Sequence, residues 1–125
     1  MELKDYFEGT KGTGVLATAD DKGNVNAAIY ARPHFPDPEN KETVAFIMAE
    51  GLSHSNVQFN SSVSYLFIED GPGYKGRRLT LTKVSEEIDP DKIAAVRRHS
   101  PTCDWHDEGP RYLVYFHVDG ERPLV

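Results

Sequence analysis

Three groups of residues carry the side-chain types that bind anions, metals or reacting substrates. The first is the polar segment Gly51–Asn60, which gathers Ser53, His54, Ser55 and Asn56. Ser53 is a favourable helix N-cap, so the pattern predicts a loop running into a short helix, and an anion could sit at that helix's start. The second is Lys75, Arg77 and Arg78, the tightest gathering of cations in the chain. Neighbours on a strand point to opposite faces, so one of Arg77 and Arg78 should meet a ligand or partner and the other solvent. A solvated edge that discourages strand pairing is the plainer account of such a pair. The third is His99, Cys103 and His106, a His-x3-Cys-x2-His spacing flanked by Asp104 and Asp107. These are soft and borderline metal ligands, but the paired Cys-x2-Cys halves of a structural zinc module are missing, and a polar loop after a helix explains the run with less.

Other chemistries leave no mark on the sequence. Gly9, Gly12 and Gly14 are not followed by Gly-Lys-Ser/Thr and lead into a strand, which makes them a loop and not a phosphate cradle. No Gly-x-Gly-x2-Gly run announces a nicotinamide-binding domain. No Ser, His and Asp set declares itself as a nucleophilic triad, so covalent chemistry, if any, would belong to a bound cofactor.

Composition bounds the rest. With 125 residues, 38% hydrophobic and 27% charged, the chain has apolar surface for one modest core, and residues 1–125 read as a single domain. A net charge of -6 argues against a nucleic-acid surface, which relies on many Lys and Arg contacts. Cys103 is the only cysteine, so no intramolecular disulfide forms and a reducing compartment fits. The opening MELKDYFEGT has no apolar signal segment, and no stretch approaches the ~18 apolar residues of a membrane span. The expectation is a cytoplasmic protein without membrane contact.

The elements that must position these groups follow from periodicity. Leu3, Tyr6 and Phe7 predict a helix over residues 2–8. Strands are predicted at Thr13–Ala19 and Val25–Arg32, joined by the hairpin connection Asp20–Asn24; in the second, Val25, Ala27, Ile29 and Ala31 alternate with Asn26, Ala28 and Tyr30. Pro33, Pro36 and Pro38 enforce a loop over residues 33–42 before a third strand, Thr43–Ala49. A fourth, Ser62–Glu69, turns at Gly71-Pro72-Gly73 into a fifth, Gly76–Glu86. Asp89 as N-cap and Pro90 at the first helical position start a helix that runs to about Ser100. Arg111–Asp119 is the sixth strand, with Tyr112, Val114, Phe116 and Val118 on one face. Six strands with few helices imply a barrel or a sandwich.

In this order, GVLATADDKGNVNAAIY, VAFIMAEGLSHSNVQFNSSVSYLFIEDGPGYKGRRLTLTKV and RYLVYFHVDGERPLV resemble the small members of the pyridoxamine 5′-phosphate oxidase-like family, the FMN-binding split barrels. The likeness covers nearly the whole chain and is most specific where HSNVQFN joins SYLFIEDGPGYKGRRLTLTKV. It implies a Greek-key, six-stranded split β-barrel with short peripheral helices, paired as a homodimer that holds FMN between its subunits. By the same resemblance, Ile29, Tyr30, Ala31 and Arg32 on the second strand and Ile47, Met48 and Ala49 on the third run along the flavin ring. Ser53, His54, Ser55 and Asn56 would form the phosphate loop, and Lys75, Arg77 and Arg78 would lie near the flavin or the dimer contact. Relatives commonly show Arg or Lys where this chain has Ser55, so positive charge would fall to Arg32, Arg77, Arg78 or protonated His54.

The activity implied is an FMN-dependent oxidoreductase acting on a small-molecule substrate or electron donor. The missing loop cation motivates the alternative, a non-catalytic module for flavin, haem or a deazaflavin, or an electron-transfer partner. Vitamin B6 oxidation is not implied, because the chain is shorter than those oxidases and lacks their substrate-binding C-terminal motif despite its ending, ERPLV.

Overall fold

The computed structural model describes residues 2–96 and 110–125. Six antiparallel strands form one sheet in the order β2-β1-β4-β5-β6-β3: β1 (Gly12–Ala19), β2 (Val25–Tyr30), β3 (Thr43–Ala49), β4 (Ser62–Glu69), β5 (Gly76–Glu87) and β6 (Arg111–Pro123). Three short helices, α1 (Leu3–Gly9), α2 (Leu52–Phe59) and α3 (Pro90–Val96), lie on its periphery. The sheet curls into a half-barrel, so its two edge strands, β2 and β3, flank a gap. Side chains span that gap, with the Tyr30 ring edge-on to Phe46 at 6.0 Å. At one end the chain following β2 turns back and closes it, His34 and Ala45 exchanging both backbone bonds at 2.8 Å.

Local chemistry explains most boundaries. The β1–β2 hairpin turns on Gly23, whose φ of 86° suits glycine, and on Asp20, whose carboxylate accepts the N–H groups of Lys22 and Asn24 at 2.9 Å. Asp89 caps α3 as predicted, accepting the N–H groups of Asp91 and Lys92 at 3.1 and 3.2 Å. Gly12 and Gly14 belong to β1 and not to the preceding loop. The reason is close packing: a Cβ on Gly14 would fall 1.9 Å from the Tyr65 hydroxyl, which donates to the Ala31 carbonyl at 3.1 Å. Sheet pairing also carries β6 past Asp119, since Gly120–Pro123 bond to Arg77–Thr80.

The core fills the concave side. Leu16, Phe46, Met48, Tyr65, Phe67, Leu79, Leu81, Val114 and Phe116 are fully buried there, with Phe7 of α1 driven in among the rings. Such burial removes apolar surface from water at about 25 cal/mol per Å2. A smaller apolar cluster of Ala45, Ile93 and Leu113 lies on the opposite face beneath α3, with Ile47 and Tyr115 packed against it.

β2 holds the one departure that bears on function. Its more polar row, Asn26, Ala28 and Tyr30, turns toward the interior, and its apolar row faces out, leaving Val25 81% and Ile29 71% exposed. Register continues this outward row through Val15 and Leu66 to Arg78.

Candidate functional site

α2 lies across one end of the curled sheet and is tied down on two sides. Toward β1 and β2, Asn26 Nδ2 donates to Ser53 Oγ at 3.2 Å and Asn56 Nδ2 donates to Thr18 Oγ1 at 3.0 Å. Ser53 and Asn56 are buried by these contacts. Burial pushes the Tyr30 hydroxyl up from its ordinary value, and hydrogen bonding to Ser53 draws it partly back, which places that phenol beside the same strap.

Toward β5 and β6 the contacts converge on one carboxylate. Glu86 Oε2 lies 3.0 Å from His54 Nε2, and Glu86 Oε1 accepts from Gln58 Nε2 at 2.6 Å and from Lys83 Nζ. The His54 ring lies flat on Tyr112, centroids 3.8 Å apart and planes 13° from parallel. Burial opposes ionisation of Glu86, but the bonds from Gln58, Lys83 and His54 outweigh it and hold the carboxyl at about 2. An ionised carboxylate only accepts, so the His54 Nε2 facing it carries the hydrogen.

The helix begins at Leu52 with Gly51 as N-cap, two residues before the Ser53 cap that the sequence predicts. No side chain caps the first turn, so the N–H groups ahead of Ser55, whose own N–H bonds to the Gly51 carbonyl at 2.9 Å, have no acceptor within the helix. The positive end of the helix dipole and the exposed Ser55 hydroxyl make a donor set suited to an anion, with Ser53 and Asn26 bracing it from beneath.

The other predicted residues spread over the molecule. Met48 is wholly buried in the core, Ile47 packs beneath α3 and Ala49 is half-buried at the end of β3. Ile29 and Ala31 are exposed on β2 and beyond it, while Tyr30 points inward. Arg32 reaches the end of α1, donating to the carbonyls of Phe7 and Thr10 at 2.8 and 2.9 Å. Arg77 pairs with Glu121 at 2.9 Å and lies 4.4 Å over the Tyr6 ring. Arg78 donates to the Pro123 carbonyl at 2.9 Å and sits on the outward face in the Ile29 row. Lys75 is exposed in the β4–β5 hairpin.

Ser53, His54, Ser55 and Asn56 are therefore brought together, and the four cations are not brought to them. Arg78 stands three strands from β2, about 14 Å across the sheet at about 4.8 Å per strand. Sequence reasoning missed Thr18, Asn26, Gln58, Glu86 and Tyr112. Thr18 and Asn26 carried a signal, as polar residues in strands at positions opposite each other in the predicted hairpin. The His99, Cys103 and His106 run lies outside the described residues, and among the described residues no group of three His, Cys, Asp or Glu is disposed to hold a metal. A separate hollow of about 400 Å3 beside α3 is lined by Pro36, Asp37, Lys92, Leu113 and Tyr115 and borders none of the predicted ligand residues.

No family model and no curated protein matches the chain. Solved structures do. An FMN-binding protein from Syntrophomonas wolfei superposes with a TM-score of 0.76 at 11% identity, covering 99% of this chain and 84% of that one. The haem storage protein HutZ of Vibrio cholerae gives 0.69 at 18% identity, covering 98% and 95%. A Clostridium acetobutylicum protein of the pyridoxinephosphate oxidase family gives 0.67 at 11%, covering 95% and 83%. The chain has the split-barrel fold of the pyridoxamine 5′-phosphate oxidase-like proteins. In this split barrel the split is the β2–β3 gap, and α2 stands at its open end with the uncapped turn and the Ser53–Asn26 strap. Among the described residues no helix is long and apolar enough to cross a membrane.

Proposed function

We propose that two copies of this split barrel pack through the outward face of β1, β2 and β4 and hold FMN in the seam, with its phosphate at the first turn of α2. The observation that carries this reading is the pairing of an uncapped, serine-flanked helix start with a neighbouring strand that turns its apolar row to solvent. Apolar patches of this kind on a soluble domain mark interaction surfaces. The donor set fits a phosphate in hydrogen bonds; in charge it fits only as an assembly, because Arg32 and Arg77 are directed elsewhere and Arg78 enters the seam only if outward faces meet.

Bound FMN supplies hydride or electron transfer, and the function proposed is an oxidoreductase on a small unknown substrate in the cytoplasm. The chain's part is to hold and orient the ring. Haem is the second reading, favoured by the likeness to HutZ; against it, His54 donates to Glu86 and lies against Tyr112, which leaves its Nε2 engaged.

Titration with FMN, followed by visible absorbance and by sedimentation, tests the proposal. Binding of one FMN per subunit to a dimer is the expected result. A monomer, or a protein that FMN leaves colourless, would overturn it, and a Soret band with haem but no flavin binding would favour the second reading.

A further inference from the structure

The contacts of Glu86 reach beyond ordinary strand pairing. It sits near the end of β5, paired with Val114 of β6, and its two carboxylate oxygens take donors from two elements, α2 and β5. His54 and Gln58 are one helical turn apart on α2, and both bond to it. Lys83 on its own strand supplies the compensating charge. Side-chain exposures of 22% for Glu86, 14% for Lys83 and 11% for His54 place the cluster largely out of water, where such bonds hold geometry tightly. The Tyr112 face prevents the imidazole from swinging away.

We propose that Glu86 is a positioning residue for the ligand end of α2, fixing through His54 and Gln58 the angle at which the first turn and Ser55 face the seam. This rests on the reading that a phosphate docks at that turn. Ser53 and Asn56 hold α2 to β1 and β2, but both lie on one side of the helix axis; the opposite restraint comes from Glu86. Removing it takes away the polar restraint on that side, leaving Val57 in the core and the His54–Tyr112 stack to hold the helix less closely against its β2 strap. The donor N–H groups then lose alignment without any ligand contact being deleted.

Glu86→Gln keeps the shape and removes one acceptor, so an amide N–H2 is turned toward a donor. Riboflavin carries the same ring as FMN without the phosphate, so the ratio of the two dissociation constants isolates the phosphate contribution. Wild-type protein is expected to prefer FMN, and Glu86→Gln to lose about tenfold of that preference with riboflavin affinity unchanged. Gln58→Ala, which removes one donor from an exposed residue, should lose about two- to threefold of it and decides the matter if Glu86→Gln does not fold. An unchanged preference in the variants, or an equal loss for both flavins, overturns the positioning role while leaving the phosphate site intact. No preference for FMN in the wild type overturns the phosphate site, and the positioning role with it.

Discussion

The two ends of the barrel are closed by opposite chemistry. At the α1 end the closure is aromatic: Phe7 meets Tyr6 at 5.1 Å, Phe67 at 5.2 Å, Tyr65 at 6.1 Å and Phe35 at 6.4 Å. At the α2 end it is polar, with Ser53, His54 and Asn56 buried and each bonded across to a strand. Arginine follows the first pattern. Arg32 satisfies the carbonyls that end α1, and Arg77 covers Tyr6 while pairing with Glu121. Those two charges are therefore occupied in stabilising the far end. What the helix start itself offers is neutral donors, with Lys83 committed to Glu86 and Arg111 standing opposite Ala49 on β6, and neutral donors depend on alignment more than cations do.

The largest test of this contrast is Phe7→Ala, which leaves a cavity between four rings. About 3 to 5 kcal/mol of stability should go, read as a lowered denaturant midpoint. A loss below 1 kcal/mol would mean that α1 is not part of the core. Next comes Asn56→Ala. It strands the buried Thr18 hydroxyl and should lose about 1 to 3 kcal/mol; a loss equal to that of Phe7→Ala would erase the distinction between the ends. A third effect is set by pH. The Glu86 carboxyl titrates at about 2 in the folded protein against 4.5 when free, so the stability it contributes is present above about pH 4.5 and lost as pH falls toward 2. Acid denaturation of Glu86→Gln should lack that component, and superimposable acid curves for the two proteins would contradict the account.

The strands β3 and β4 were legible residue for residue: β4 has one buried face and turn-forming neighbours, and β3 is a short apolar run buried on both faces between a proline-rich loop and Gly51. The outward turn of Val25, Ala27 and Ile29 was not legible. Alternation fixes which residues share a face, but only tertiary packing decides which face meets the core, and here the core takes Asn26, Ala28 and Tyr30 and leaves the apolar row to solvent. Ser53 misled for a related reason: its hydroxyl is drawn to Asn26 by the fold, so it does not cap its own helix. The grouping of the α2 segment was readable from composition. Glu86 was not, since its link to His54 crosses 32 positions of chain and no local period announces it.

Among the described residues β2 ends the sheet with a row of backbone N–H and C=O groups that no neighbouring strand takes, beneath the apolar side chains of Val25 and Ile29. Edges of this kind recruit other chains by strand addition. With that edge uncovered the chain is open to strand addition by any other extended segment, and the hazard grows with the concentration at which the protein is made.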